Sequence, residues 1–265
     1  MSAADRRVTA LIMAGSRGPD DPVARLAGES HKALVPVCGV PMLMRVASAL
    51  RQTPTVGRLV VCIDRPTFGR ISPTIAADLG PDIGIIEPST TPSASVRRAL
   101  AELTNALPLL VTTADNVLLS PQMIEHFCAV TPADADLAVA LASETTIRRA
   151  YPDSVRTYYR LGGEGYSGCN LFLARTPAAA NVADFWSEIE RHRKRPWRLV
   201  AAIGPLTLIR YAFGMLGLEA AMRRLSTIVG ARVRAVEMPF AEAAIDVDKP
   251  SDLALAEEIL GRRRL

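Results

Sequence analysis

Aromatic residues are scarce, at 5% of a 265-residue chain, and the three histidines stand apart from one another. So thin an aromatic supply argues against a protein that grips single-stranded nucleic acid by stacking its bases. Cysteine is limited to Cys38, Cys62, Cys128 and Cys169, with no C-x-x-C pair, and three of the four lie in apolar runs. That pattern reads as reduced thiols rather than a disulfide frame or a zinc site, so a cytoplasmic location is expected. No signal peptide is expected either, because Asp5, Arg6 and Arg7 lead straight into a six-residue apolar strand. No G-x-G-x-x-G follows that strand, which argues against a dinucleotide oxidoreductase. No Gly-Lys-Ser/Thr follows at P-loop spacing. Internal repeats and low-complexity linkers are absent.

What remains is an ordinary globular composition, 49% hydrophobic and 22% charged, with a mildly basic net charge of +4. The charge suits anionic small molecules or a membrane surface and does not single out nucleic acid. Short apolar strands alternate with helices. Strands are expected at Val8–Met13, Arg58–Ile63, Ile83–Ile86, Leu107–Thr113 and Leu137–Leu141. Helices are expected at Met42–Leu50, from Pro66 to about Asp78, from Pro92 to about Leu103 and from Pro121 to about Val130, each with proline at or next to its start. This alternation predicts an α/β fold with an open, mostly parallel sheet. Ligands of such sheets bind outside the carboxyl ends of the strands. From residue 144 the regular alternation stops. A strand is expected at Gly168–Leu173, a helix at Pro177–Arg193, a strand at Val233–Met238 and a last helix to about Leu260. One domain accommodates this: a ligand-binding part over 1–143, an inserted part over 144–232, and a closing strand and helix over 233–265.

Three stretches carry candidate chemistry. The first is Leu11-Ile-Met-Ala-Gly-Ser-Arg-Gly18, followed by His31-Lys-Ala-Leu-Val-Pro-Val-Cys-Gly-Val-Pro-Met42. An apolar strand stops abruptly at Ala14-Gly15 and enters a polar loop. Backbone N–H groups in such a turn hold anions, and Arg17 and Lys32 add positive charge. The second is Asp115, at the end of a strand in Thr112-Thr-Ala-Asp-Asn-Val117. A carboxylate there suits Mg2+, a hard ion that keeps water and phosphate ligands. The third is Ile245-Asp-Val-Asp-Lys-Pro-Ser-Asp-Leu253, where alternation puts Asp246 and Asp248 on one face of an extended segment.

These stretches together resemble nucleotidyltransferases of the molybdenum-cofactor guanylyltransferase-like kind. That family carries Leu-x-x-Ala-Gly-x-x-x-Arg, then Lys-x-Leu, Gly-x-Pro-Met/Leu, and an Asp-x-Asp-Thr-Pro-Glu-Asp-Leu ending. The resemblance implies a Rossmann-like, GT-A-like fold that moves a nucleoside monophosphate from an NTP to an acceptor with Mg2+ and releases pyrophosphate. It implies that Ala14, Gly15, Ser16, Arg17, Arg25 and Lys32 bind the nucleotide, with Arg17 and Arg25 alternative holders of the loop arginine's role. Lys32, Arg17 and Asp115 become the catalytic set. Asp115 and Asp246, with Asp248 less central, become the Mg2+ ligands. Asn170, in Gly168-Cys-Asn-Leu-Phe172, matches a position that faces acceptor or nucleotide, and a satisfied structural amide fits it equally. Departures from the family pattern are the Gly15-Ser-Arg-Gly18 loop, Val117 in place of proline, and Lys249 in place of threonine.

The expected partners are an NTP, CTP or GTP, and a phosphorylated acceptor. A phosphate acceptor is already ionised at neutral pH, so no protein base is needed. Two rivals share the residues: a nucleotide-sugar glycosyltransferase of the same fold, and a non-catalytic nucleotide-binding or membrane-surface protein. The glycosyltransferase would ordinarily place Asp-x-Asp where this chain has Asp115-Asn-Val117. The apolar run 199–218 has the length of a membrane span, but Gly204, Pro205 and Arg210 interrupt it. A pair of buried helices is the favoured expectation there. Peripheral membrane contact through 191–218 is the other, with the basic stretch Arg191–Arg198 meeting anionic lipid.

Overall fold

The computed structural model describes residues 7–15, 20–80, 82–191 and 204–263. Its frame is the strand–helix alternation of the first half. Strands β1 (Val8–Met13), β4 (Val56–Cys62), β5 (Ile83–Ile86) and β6 (Leu109–Thr113) lie parallel in the order β5-β4-β1-β6. Helices α2 (Met42–Arg51), α3 (Arg65–Leu79), α4 (Pro92–Glu102) and α5 (Pro121–Val130) connect or flank them. Asp64, Thr91 and Ser120 cap α3, α4 and α5, each accepting a backbone N–H three residues on, with proline in the first turn.

The sheet does not end at β6. Strand β9 (Glu164–Ala174) runs antiparallel between β6 and β7 (Leu137–Ser143), and β10 (Val233–Glu237) adds parallel to β7. Part of the 144–232 stretch is therefore woven into the middle of the sheet. Strand β8 (Tyr159–Leu161) pairs with the start of β9 as a hairpin. A separate two-stranded ribbon, β2 (Pro36–Val37) with β3 (Val40–Pro41), turns at Cys38-Gly39. Both turn residues have positive φ, 46° and 77°, as a two-residue hairpin turn of this hand requires.

Several elements past residue 143 escape the sequence pattern. Helix α6 (Glu144–Ala150) is seven residues long and is opened by the Ser143 side chain. β8 has three residues. Neither is long enough for periodicity to register. Helix α7 (Ala179–Arg191) begins two residues later than expected. Helix α9 (Leu218–Val229) turns Met222, Leu225 and Ile228 toward the core, and it closes at Gly230 in the left-handed region. The apolar run 199–218 is not a pair of buried helices where it is described; residues 199–203 fall outside the described chain. Helix α8 (Pro205–Ala212) starts after Gly204, and the chain turns at Gly214, where φ is 66°. The run is thereby broken into a short helix and a turn, and Ile209, Tyr211, Phe213 and Met215 are exposed. Among the described residues no helix is long and apolar enough to cross a membrane.

β1 is buried on both faces, as a central parallel strand must be. Its alternate residues feed two cores. Ala10 and Ile12 pack with α2, α3 and α5, and Leu11 packs on the opposite face toward α4 and α7. A third cluster matters most for function. Val35, Val37 and Met42 meet Val117 and Leu118, Ile245 and Val247, and Val23 of α1 (Pro22–Ala27) with Ile259 of α10 (Pro250–Arg263). It ties together, from below, the three stretches singled out in the sequence.

Candidate active site

The site is built where β1 and β6 end side by side. The Ala14 N–H donates to the Cys62 carbonyl at 2.9 Å, and the Ala114 N–H donates to the Met13 carbonyl at 2.9 Å. These bonds fix Ala14-Gly15 and Ala114-Asp115 next to each other at the carboxyl edge of the sheet. A Cβ at Gly15 would meet no atom of the described residues within 4 Å. The missing side chain therefore serves no internal packing; it leaves the backbone open to a ligand. A cleft here is lined by Ala14, Gly15, Lys32, Met42, Ala114 and Asp115.

Lys32 enters the cleft from a short 3₁₀ turn, Lys32–Leu34. His31 caps that turn, its Nδ1 accepting the Ala33 N–H at 3.2 Å. Burial holds His31 below the ordinary histidine value, which keeps Nδ1 free as an acceptor. Lys32 Nζ donates to Asp115 Oδ2 at 2.6 Å and to Asp248 Oδ1 at 2.8 Å. Burial opposes the charge on Lys32. The Asp115 carboxylate and the hydrogen bonds to Asp115 and Asp248 outweigh it and hold the amine above the usual lysine value.

Asp246 and Asp248 alternate along an extended segment with Ile245 and Val247, which are fully buried. The Val247 N–H donates to the Asp115 carbonyl at 3.1 Å, so the two carboxylate loops share a backbone bond. Their side chains are held differently. Asp248 is on Lys32. Asp246 accepts from Arg156 Nη1 at 3.0 Å through Oδ1 and from Asn170 Nδ2 at 3.0 Å through Oδ2. Asn170 reaches it from β9 in the left-handed region, with φ 48°. Burial, then the like charges of Asp115 and Asp248, push Asp246 above the usual carboxylate value against the pull of Arg156.

Lys32, Asp115, Asp246, Asp248 and Asn170 are thus brought together, with Ala14 and Gly15 at the cleft wall. Ser16 and Arg17 lie outside the described residues. Arg25 is exposed on α1 and does not line the cleft. Asn116 turns inward, donating to Thr112 Oγ1 at 3.3 Å and to the Cys169 carbonyl at 3.1 Å, so it braces β9 against β6. Sequence reasoning missed Arg156. It stands in an irregular segment with no motif around it. The sequence reading also left Asp252 out of the site. Asp252 in fact accepts the N–H groups of Asp248 and Lys249, each at 3.2 Å, and Arg156 Nη2 at 3.1 Å.

The profile of the MobA-like NTP transferase domain matches residues 10–204, which include Gly15, Lys32, Asp115 and Asn170. The chain belongs to this family. Relatives and neighbours of this nucleotidyltransferase agree. It is 26% identical over 253 residues to the 2-C-methyl-D-erythritol 4-phosphate cytidylyltransferase of Gloeobacter violaceus, covering 94% of each chain. A protein of the same name from Frankia casuarinae is 32% identical over 130 residues, 49% of this chain and 46% of its own. A hypothetical transferase from Thermus thermophilus superposes with a TM-score of 0.77 at 25% identity, over 93% of this chain and 99% of its own. The fold also matches a CMP:2-keto-3-deoxy-manno-octonic acid synthetase complexed with CTP, with a TM-score of 0.58 at 14% identity over 98% and 100% of the two chains. The architecture is the GT-A-like nucleotidyltransferase fold.

The donor set fits a divalent cation of the Mg2+ type. Asp115 Oδ1 is buried and has no hydrogen-bond partner. In the hydrogen-bonded cluster of Asp115, Asp246, Asp248 and Asp252, the cations among the described residues are Lys32 and Arg156. Among these residues carboxylates outnumber cations. Among the described residues no group of three His, Cys, Asp or Glu side chains forms a ready-made cage. Mg2+ takes one or two protein carboxylates and fills the rest of its shell with phosphate oxygens and water.

Proposed function

We propose that this nucleotidyltransferase is a cytidylyltransferase that moves CMP from CTP to a phosphorylated small-molecule acceptor and releases pyrophosphate. The observation that carries the reading is Lys32 set between Asp115 and Asp248 beside the open backbone of Gly15. Anion-binding backbone, a fixed ammonium and a carboxylate with a spare oxygen are the parts that an NTP's phosphates require. The choice of CTP over GTP rests on the cytidylyltransferases among the relatives, and so does a sugar-like or polyol phosphate as acceptor.

Gly15 receives the triphosphate with its backbone, beside Ala14 at the cleft wall. Lys32 turns from the two carboxylates to the phosphates and neutralises charge that grows on the leaving pyrophosphate. Asp115 and Asp246 would hold Mg2+, which supplies charge neutralisation across the phosphates. Asn170 and Arg156 keep Asp246 in place. An oxygen of the acceptor phosphate attacks the α-phosphorus in line. The new P–O bond forms as the bond from the α-phosphorus to the bridging oxygen breaks, and the electron pair leaves on pyrophosphate. The acceptor oxygen is already ionised, so no residue has to remove a proton.

The test is pyrophosphate release with each of the four NTPs and Mg2+, against a panel of sugar and polyol phosphates. CTP-specific release with one phosphorylated acceptor is the expected result. Release with GTP alone moves the assignment to a guanylyltransferase. Turnover of nucleotide sugars without pyrophosphate release overturns the reading.

A further inference from the structure

Arg156 lies between α6 and β8, in a segment without regular structure. Its neighbour Val155 is 75% exposed, whereas the Arg156 side chain is 7% exposed. One guanidinium spans a whole turn. Nη1 donates to Asp246 Oδ1 at 3.0 Å and to the Asp246 carbonyl at 3.3 Å, and Nη2 donates to Asp252 Oδ1 at 3.1 Å. The second Asp252 oxygen takes the backbone N–H groups of Asp248 and Lys249, so the turn from 246 to 252 is closed from both ends. Arg156 Nε is buried without a partner. An unsatisfied buried donor is costly, so the guanidinium is committed to this turn at the expense of its third nitrogen.

Arg156 also stands apart from the nucleotide cleft. It lines a second cavity of about 320 Å³ against α10, together with Lys249 and Asp252. Among the described residues none lines both that cavity and the cleft at Gly15 and Lys32. An arginine is the residue this position needs, because its planar fork reaches two carboxylates in a fixed geometry and a lysine does not. Asp246 is then gripped on both oxygens, by Arg156 from one side and Asn170 from the other.

We propose that Arg156 is a positioning residue of the transfer reaction, pinning the Asp246 carboxylate from behind the cleft in the orientation that a divalent cation shared with Asp115 requires. The proposal rests on the transferase reading of the site. Residues one layer behind a metal ligand tune affinity or activity about 10–100-fold, which sets the expected scale.

The experiment compares wild type, Arg156→Gln and Arg156→Lys. The first readout is Mn2+ binding in the presence of CTP, followed by electron paramagnetic resonance. The second is the split of kcat and KM in the pyrophosphate assay. Arg156→Gln is expected to weaken Mn2+ binding about 10–100-fold and to lower kcat, with KM for the acceptor unchanged. Arg156→Lys, which keeps charge without the fork, is expected to recover only part of the loss. If Mn2+ binding is unchanged and only the melting temperature falls, the role is structural and the proposal is overturned. Full recovery by lysine overturns it too, because charge alone would then suffice. So does a wild type that binds no Mn2+, or a failure of both variants to fold. A wild type that binds Mn2+ but releases no pyrophosphate removes the transferase reading, and the Mn2+ comparison still decides the role of Arg156.

Discussion

Lys32 Nζ lies 2.6 Å from Asp115 Oδ2, across 83 positions of sequence. The two residues come from opposite sides of the cleft, one from a 3₁₀ turn and one from the end of β6. Their contact shows how the site stores its charges: the ammonium that phosphates would claim is parked on a carboxylate that a cation would claim. Lys32→Met is expected to reduce kcat/KM for nucleotidyl transfer about 10²–10³-fold, the scale of losing one preorganised group at developing charge. It also leaves Asp115 and Asp248 without their shared partner. A stability loss on the order of 1–3 kcal/mol is expected, typical of removing hydrogen bonds to charged groups. Steady-state kinetics and denaturant unfolding check the two effects separately.

The pH dependence of Lys32 has a defined sign. Its folded value is raised by Asp115 and by hydrogen bonds to Asp115 and Asp248, despite burial. A raised lysine contributes stability that is fully present below the unfolded value, about 10.4, and is lost as pH rises through the folded value. The ammonium therefore stays charged through the neutral range. No alkaline limb between about pH 7 and 9 should arise from this residue, whose unfolded value lies near 10.4. A limb in that range that disappears in Lys32→Arg would contradict the pairing.

Asp246 and Asp248 look equivalent in sequence and are not equivalent in the structure. Asp246 is half-buried and held by Arg156 and Asn170; Asp248 is exposed and held by Lys32. Asp246→Asn is expected to cost about 10²-fold or more in kcat. It should also raise the Mg2+ concentration needed for half-maximal rate. Asp248→Asn should cost about ten-fold, on the scale of a single partner of a ligand. Equal losses would mean that both carboxylates carry the cation.

Much of this site was legible in the sequence. Gly15, Lys32, Asp115 and Asp246 announce themselves because each sits at a strand end or in a motif, where an apolar run stops at a polar residue. The parallel half of the sheet was legible for the same reason: its strands are short apolar runs bounded by proline-capped helices. The rest was hidden by length or by distance. α6 and β8 are too short for a period to show. The antiparallel insertion of β9 between β6 and β7 is a long-range pairing that no local pattern encodes. Arg156 was invisible because its partners, Asp246 and Asp252, lie 90 and 96 residues away. A charged residue in an irregular stretch gives no sign of being buried.

Asn170 allows strain and chemistry to be separated. Its φ of 48° lies in the left-handed region, which asparagine tolerates better than alanine does. Asn170→Ala loses the hydrogen bond to Asp246 and places a less tolerant residue in that conformation, an added cost of roughly 1–2 kcal/mol. Asn170→Gly loses the same hydrogen bond without the strain. Both variants should lose transfer activity to a similar extent, about ten-fold. Only the alanine variant should lose the added stability. Kinetics and thermal unfolding on the pair decide it. If glycine restores activity as well as stability, the amide's contact with Asp246 is incidental.

Away from the site, Asp136 anchors the start of β7 and adds to the acid sensitivity of the fold. It accepts from the Arg232 backbone N–H at 2.8 Å, from the Arg232 guanidinium at 3.2 Å and from Thr176 Oγ1 at 2.8 Å. The hydrogen bonds from the Arg232 side chain and backbone hold its carboxyl far below the usual range. A depressed carboxylate contributes stability that is present above its unfolded value, about 3.9, and is lost as pH falls through the folded value. Asp136→Asn should therefore destabilise the protein at pH 7 and matter progressively less as pH falls below about 4. Because Asp136 and Arg232 fasten β7 to the entry of β10, the loss should appear first at that edge of the sheet. Hydrogen exchange in β10 should speed up before exchange in β1, which is buried on both faces at the centre. Uniform loss of protection across both strands would mean that the edge and the centre unfold as one unit.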